Sequence, residues 1–245
     1  GYGHVLPQRP AWYGCACCPP NLARLLTSLG KYLWSENEDT IYSHLFVGSE
    51  ADLTLAKVTQ QTHYPTEGGA VYTVSPKTDT PFTLAIHIPA YLTHFEPTVN
   101  GKPVQGRQEK GYLYLTRAWS EGDTVTLAFA LTARRVYGNP RLRDCAGRVA
   151  LARGPVVYCF EGVDHDGVPL HTLRLPPNAA VTEAVCDDER LGGVLMLEAE
   201  GVKESMDDTL YGDAAPRTEP VTLKAIPYYA WANRGLSDML VWIRG

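Results

Sequence analysis

Three cysteines fall within four positions, Cys15, Cys17 and Cys18, in the run Trp12-Tyr13-Gly14-Cys15-Ala16-Cys17-Cys18-Pro19-Pro20-Asn21. Cysteine does its chemistry as the thiolate, which serves both as a zinc ligand and as a nucleophile. Adjacent cysteines rarely bond one another, because the bridge strains the backbone. The cluster therefore reads as thiolates for a metal or for covalent chemistry, in a reducing compartment. The competing reading is that close cysteines are packing residues or oxidation-prone bystanders, since cysteine is common in cores. A closed zinc site takes four protein ligands. Only three cysteines are neighbours here and no histidine follows at zinc-finger spacing, so a complete site has to borrow ligands from elsewhere. Spacing alone supports a thiol or metal site and names no substrate.

The element that must hold these sulfurs is a helix. Leu22, Leu25, Leu26, Leu29, Tyr32 and Leu33 recur at intervals of three and four, the period of an amphipathic helix. Proline is tolerated in the first helical turn, where a backbone N–H has no intrahelical partner. We expect one helix from about Pro20 to Leu33, with Gly30 a weak spot late in it. Its positive end lies beside Cys17 and Cys18, where it favours thiolate.

Beyond Ser35-Glu36-Asn37-Glu38-Asp39 the rhythm changes to short strands, at residues 41–47, 51–58, 70–74, 82–88, 112–116 and 123–130. Asn100-Gly101 signals a tight hairpin, and Glu121-Gly122-Asp123 a turn. Past Tyr137-Gly138-Asn139-Pro140 a second β region begins, with candidates at 148–152, 155–160, 194–199, 221–226 and 239–243 and a loop-rich stretch from Asp164 to Arg190. Many short strands with regular turn signals predict antiparallel sandwiches.

The 245 residues are 44% hydrophobic and 20% charged, with a net charge of −5, which is the composition of a globular chain with a core. No basic stripe with interleaved aromatics appears, so nucleic acid is not an expected partner. No apolar run approaches the roughly 18 residues of a membrane span, so no membrane role is expected. Cys145, Cys159 and Cys186 are isolated, and Cys159 reads as a small buried hydrophobe. The seven histidines form no i, i+4 pair and read singly as surface or packing residues. Asp164-His165-Asp166 reads as a solvated loop, and Asp187, Asp188 and Glu189 as a charged one. Tyr228, Tyr229, Trp231 and Trp242 could stack on sugars, but their strand context favours packing. Gly1-Tyr2-Gly3-His4 resembles no leader peptide, and with no initiator Met the chain reads as a fragment, a processed product or a truncated gene model. Thiols without a leader point to the cytoplasm.

Gly14-Cys15-Ala16-Cys17-Cys18-Pro19-Pro20-Asn21 followed by Leu25-Leu26 resembles the cysteine motif of glycoside hydrolase family 127, which contains bacterial β-L-arabinofuranosidases. Arg148-Val149-Ala150-Leu151-Ala152-Arg153-Gly154-Pro155-Val156-Val157-Tyr158-Cys159 resembles a recurring strand of that family, and Ala225 to Gly235 its C-terminal signature. The resemblance implies an (α/α)6 catalytic barrel followed by β-sandwich domains. Residues 1–34 are then the last, single-helix segment of the barrel, with antiparallel sandwiches at 35–138 and 139–245. It implies a Zn2+ held by one Glu and three Cys, with Cys17 as ligand and nucleophile and Cys18 as ligand. The remaining ligands and the Glu acid/base come from an upstream barrel, so no acid/base residue is assigned in this chain. Cys15 carries no role over, while His4 and Trp12 are candidates to line a sugar pocket. The expected function is that of the C-terminal part of a retaining glycosidase, inactive alone, whose partners are an arabinose-containing glycan, the upstream barrel and a second copy in a homodimer. The rival is a non-catalytic β-sandwich module for carbohydrate binding or dimerisation.

Overall fold

The computed structural model describes residues 8, 9, 14 and 17–245. The chain is mainly β and divides into two compact units, one of residues 13–131 and one of residues 1–12 with 132–245.

The unit of residues 13–131 opens with helix α1 (Cys18–Ser28) and a further turn, α2 (Gly30–Leu33). The expected single helix is thus two pieces. The break falls at Leu29, which keeps helical angles, directly before Gly30 at the start of α2, where glycine weakens a helix. Two sheets follow. One has five strands in the order Trp34–Glu36, Thr40–Ser43, Phe82–His87, Tyr112–Arg117, Arg107–Glu109. The other has six, in the order Ser49–Asp52, Ala56–Gln61, Ala70–Pro76, Asp123–Ala128, Glu96–Val99, Lys102–Pro103. Strand Ala70–Pro76 alternates between buried and half-buried residues, as period-two side-chain direction requires of a sheet covered on one face. Its inward Tyr72 and Val74 join Ile41, Leu84, Ile86, Leu113 and Val125 in one apolar core.

Three details differ from the expected pattern. Thr40–Ser43 runs parallel to Phe82–His87, because the intervening chain is spent on strands of the other sheet. Residues 51–58 are a hairpin rather than one strand. Its turn is fixed from outside by Glu36, whose carboxylate accepts from the backbone N–H and the hydroxyl of Thr54 at 2.8–2.9 Å. Tyr112–Arg117 and Asp123–Ala128, on either side of the Gly122 turn, lie in different sheets. The Asn100-Gly101 hairpin forms as expected. Both residues have positive φ, 49° and 75°, the requirement of a type I′ turn.

The other unit is built on one nine-stranded sheet that rejoins itself where Arg148–Arg153 pairs with Val156–Glu161. From Tyr158 onward, strand Val156–Glu161 is buried on both faces. Tyr158 and Phe160 enter a core with Leu151, Leu173, Leu197 and Leu223, while Cys159 points the opposite way into a second core with Cys186, Met196 and Ile226. The stretch from Asp164 to Arg190 is less loop-like than expected, since Val181–Val185 pairs along Leu195–Ser205. Arg9 joins this unit: its N–H donates to the Ala232 carbonyl at 2.9 Å, and its guanidinium donates to the carbonyls of Trp231 and Tyr229.

Candidate active-site segment

Cys17 occupies the N-cap of α1 and Cys18 is its first residue, followed by the two prolines. The Cys17 side chain makes no capping hydrogen bond. Pro19 and Pro20 carry no N–H, so two of the four donors that a helix start leaves without intrahelical partners are deleted outright. Asn21 closes the turn from within, its Nδ2 donating to the Cys17 carbonyl at 2.6 Å, and Arg24 donates in turn to Asn21 Oδ1. This chain of contacts fixes the backbone of Cys17 and leaves its sulfur exposed.

The two sulfurs lie 3.6 Å apart. Two thiolates, each about 2.3 Å from one tetrahedral zinc, sit about 3.8 Å from each other, so the pair fits half of a zinc coordination sphere. Among the described residues no group of three or more His, Cys, Asp or Glu converges to complete it. Cys15, His4 and Trp12 lie outside the described residues.

No residue of α1 is buried. Leu22, Leu25 and Leu26 are 58%, 50% and 63% exposed. They form one stripe of the kind that a helix normally buries.

The remaining sequence candidates separate clearly. Asp188 is the partner of Arg190, which holds its carboxyl down at about 2, with the Arg190 N–H adding to the effect. Cys159 is fully buried, and burial pushes its thiol up to about 12. Asp164-His165-Asp166 corrects the solvated-loop reading. Arg234 donates to Glu161 Oε2 at 2.8 Å and to Asp164 Oδ1 at 2.8 Å, and the Ala232 N–H donates to Glu161 Oε1 at 3.0 Å. His165 is 2% exposed. Its Nδ1 lies 2.7 Å from the Glu161 carbonyl and its Nε2 accepts from the Lys224 N–H at 3.2 Å. That pattern specifies the neutral ring protonated on Nδ1, and desolvation lowers the His165 pKa. The cluster is a structural clamp that ties the Ala225–Gly235 stretch to strand Val156–Glu161. The sequence clue was a Glu ending an apolar strand and an Arg closing an aromatic run, which spacing could not join across 73 residues.

A second cluster went unread in the sequence. On the five-stranded sheet Tyr42, His44, His87, Tyr112 and Tyr114 pack ring against ring, with His44 Nδ1 2.7 Å from the Tyr112 hydroxyl. Arg107 lies 4.2 Å above the Tyr114 ring. The alternation Tyr42-x-His44 and Tyr112-x-Tyr114 places these rings on one face.

Residues 40–131 match the model of the β-L-arabinofuranosidase GH127 middle domain, and residues 133–244 that of the glycoside hydrolase family 127 C-terminal domain. The chain belongs to glycoside hydrolase family 127. It is 39% identical, over 257 aligned positions, to a non-reducing end β-L-arabinofuranosidase of Bifidobacterium longum subsp. longum, covering 98% of this chain and 39% of that protein. Among solved structures it matches a GH127 β-L-arabinofuranosidase from Geobacillus stearothermophilus T6 with 41% identity and a TM-score of 0.88, covering 98% of this chain and 39% of that one. A GH127 β-arabinofuranosidase matches with 30% identity and a TM-score of 0.84, over 97% of this chain and 40% of its own. The chain thus spans about two-fifths of the length of these GH127 relatives. Cys17 and Cys18 precede both matched family domains. Among the described residues no helix is long and apolar enough to cross a membrane.

Proposed function

We propose that this chain is the C-terminal part of a retaining β-L-arabinofuranosidase in which Cys17 is the nucleophile and Cys17 and Cys18 are zinc ligands. The observation that carries the reading is the 3.6 Å separation of the two sulfurs at the N-cap of α1, combined with family membership. Zinc, when bound, supplies the charge that keeps a thiol anionic at neutral pH. Cys17 then forms the bond to the anomeric carbon, and a carboxylic acid on the opposite side of the scissile bond protonates the leaving oxygen. No residue of this chain is assigned to that second role. The exposed apolar stripe of α1 supports placing residues 1–34 as the last segment of a helical barrel supplied by sequence upstream, which also provides the remaining ligands. Association into a homodimer belongs to the same reading.

The test is made on the longer chain that includes the upstream sequence. Cys17→Ala should abolish release of arabinose from a β-L-arabinofuranoside, and Cys18→Ala should lower zinc content measured by elemental analysis. Hydrolysis at the wild-type rate by Cys17→Ala ends the proposal. The 245-residue chain by itself is expected to show no turnover.

A further inference from the structure

Three arginines stand abreast on neighbouring strands of the nine-stranded sheet. Arg148 is the direct cross-strand partner of Arg244, and Arg244 pairs on its other side with Arg174. Like charges placed directly opposite one another destabilise a sheet. A single carboxylate relieves part of the row: Glu204 pairs with Arg244 and, at 3.6 Å, with Arg174. Arg174 is further tied down by its Nε, which donates to the Gly245 carbonyl at 2.9 Å. Arg148, which is exposed, has no acidic partner among the described residues. Among the described residues the row therefore carries one guanidinium without a carboxylate partner.

That guanidinium borders a cleft of about 500 Å³ lined by Arg148, His171, Leu240, Trp242 and Arg244. The volume lies within the roughly 300–1,000 Å³ of small-molecule sites. Its wall combines a half-buried indole with two arginines and a histidine. Guanidinium binds a carboxylate through a planar two-pronged fork, and an indole offers a flat apolar face with a polar edge.

We propose that this cleft binds a carboxylate-bearing sugar, a uronic acid residue of a glycan, with the carboxylate on Arg148 and the apolar face of the ring against Trp242. The preference for an anion stands on the arginine row alone. The choice of a sugar rests on the glycosidase reading.

Calorimetric titration of the whole chain with digalacturonate, arabinose and inorganic sulfate tests it, with no hydrolysis read. Digalacturonate should bind and arabinose should give no heat at the same concentration. Arg148→Ala should weaken binding at least tenfold at a melting temperature no lower than that of wild type, since it relieves repulsion in the arginine row. Arg148→Lys should recover only part of that loss, since lysine has no fork. Trp242→Ala should also weaken binding at least tenfold, and Trp242→Phe, which keeps an aromatic ring in place, less. Absence of digalacturonate binding, or equal binding by Arg148→Ala, overturns the proposal. Sulfate binding as tight as digalacturonate, with both Trp242 variants indifferent, also overturns it, by showing an anion site that takes no sugar. Either failure leaves the role of Cys17 untouched, because that role is read from turnover of the longer chain.

Discussion

Arg234 and Glu161 meet at 2.8 Å with only 5% and 1% of their side chains exposed. Charges this deeply placed are tolerated because each completes the other's hydrogen bonds, with Asp164 as the second acceptor for the guanidinium. Removing one partner strands the other, which costs roughly 3–5 kcal/mol. Arg234→Met should therefore lower the unfolding free energy measured by urea titration by a margin of that order, and Glu161→Met likewise. The double variant should recover much of the loss, because it leaves no unpaired charge. A single variant as stable as wild type would contradict the clamp.

His165 makes stability depend on pH. Burial holds its folded pKa below the ordinary value, with Lys224 adding to this and the Glu161 carbonyl, Asp164 and Asp166 opposing it. Below about pH 6.5 the unfolded chain takes up a proton that the folded chain refuses. Stability from this residue is thus complete above that pH and declines on acidification until the lower folded pKa is reached, by at most about 1.4 kcal/mol per pH unit. Urea unfolding between pH 8 and 5 should show this decline, and His165→Asn should flatten it. An equal slope in the variant would assign the effect elsewhere.

The cysteines should divide sharply in reactivity. Cys17 and Cys18 are exposed, whereas Cys159 and Cys186 are buried and the Cys159 thiol is pushed up to about 12. Brief iodoacetamide treatment of the metal-free chain, followed by peptide mass spectrometry, should label Cys17 and Cys18 and spare Cys159 and Cys186 until denaturant is added. Early labelling of Cys159 would be incompatible with its place in the core.

Two glycines should respond to alanine in opposite directions. A methyl group at Gly68 would lie 2.0 Å from the Phe129 carbonyl oxygen, and backbone cannot yield as a side chain can. Gly68→Ala should cost roughly 1–3 kcal/mol or more. Gly30 has open space around its missing Cβ and no positive φ, so Gly30→Ala should gain about 0.5–1 kcal/mol and smooth the junction of α1 and α2. Thermal melts of the two variants against wild type check both signs.

How legible the molecule was in its sequence follows from the range of the forces involved. Period-two burial in Ala70–Pro76, the Asn100-Gly101 hairpin and the three-four spacing of Leu22, Leu25 and Leu26 are local, and each was readable. Sheet membership was not, because whether residues 112–117 pair with 82–87 or with 123–128 is decided by partners far along the chain. The hairpin at Leu53–Leu55 was missed for a related reason: the carboxylate that fixes its turn, Glu36, is 18 residues away. Cys17 and Cys18 were legible as a pair, since adjacency in sequence is adjacency in space. The clamp of Glu161, Asp164 and Arg234 was not, since an aspartate in a Gly-flanked turn looks solvated until its distant guanidinium is in place.

Arg9 anchors to the backbone of Tyr229, Trp231 and Ala232, more than 200 residues downstream, so along the sequence residues 13–131 are a guest inserted between the two stretches of a host unit. The host can close on itself only after spanning the guest. The entropic cost of such a closure grows merely with the logarithm of the span, about 0.6 kcal/mol for each doubling of a flexible loop, and a guest that has already collapsed shortens the effective tether. Early consolidation of the inserted module therefore smooths assembly of its host. A polypeptide cut to begin at Thr132 inherits three backbone groups that have lost their arginine.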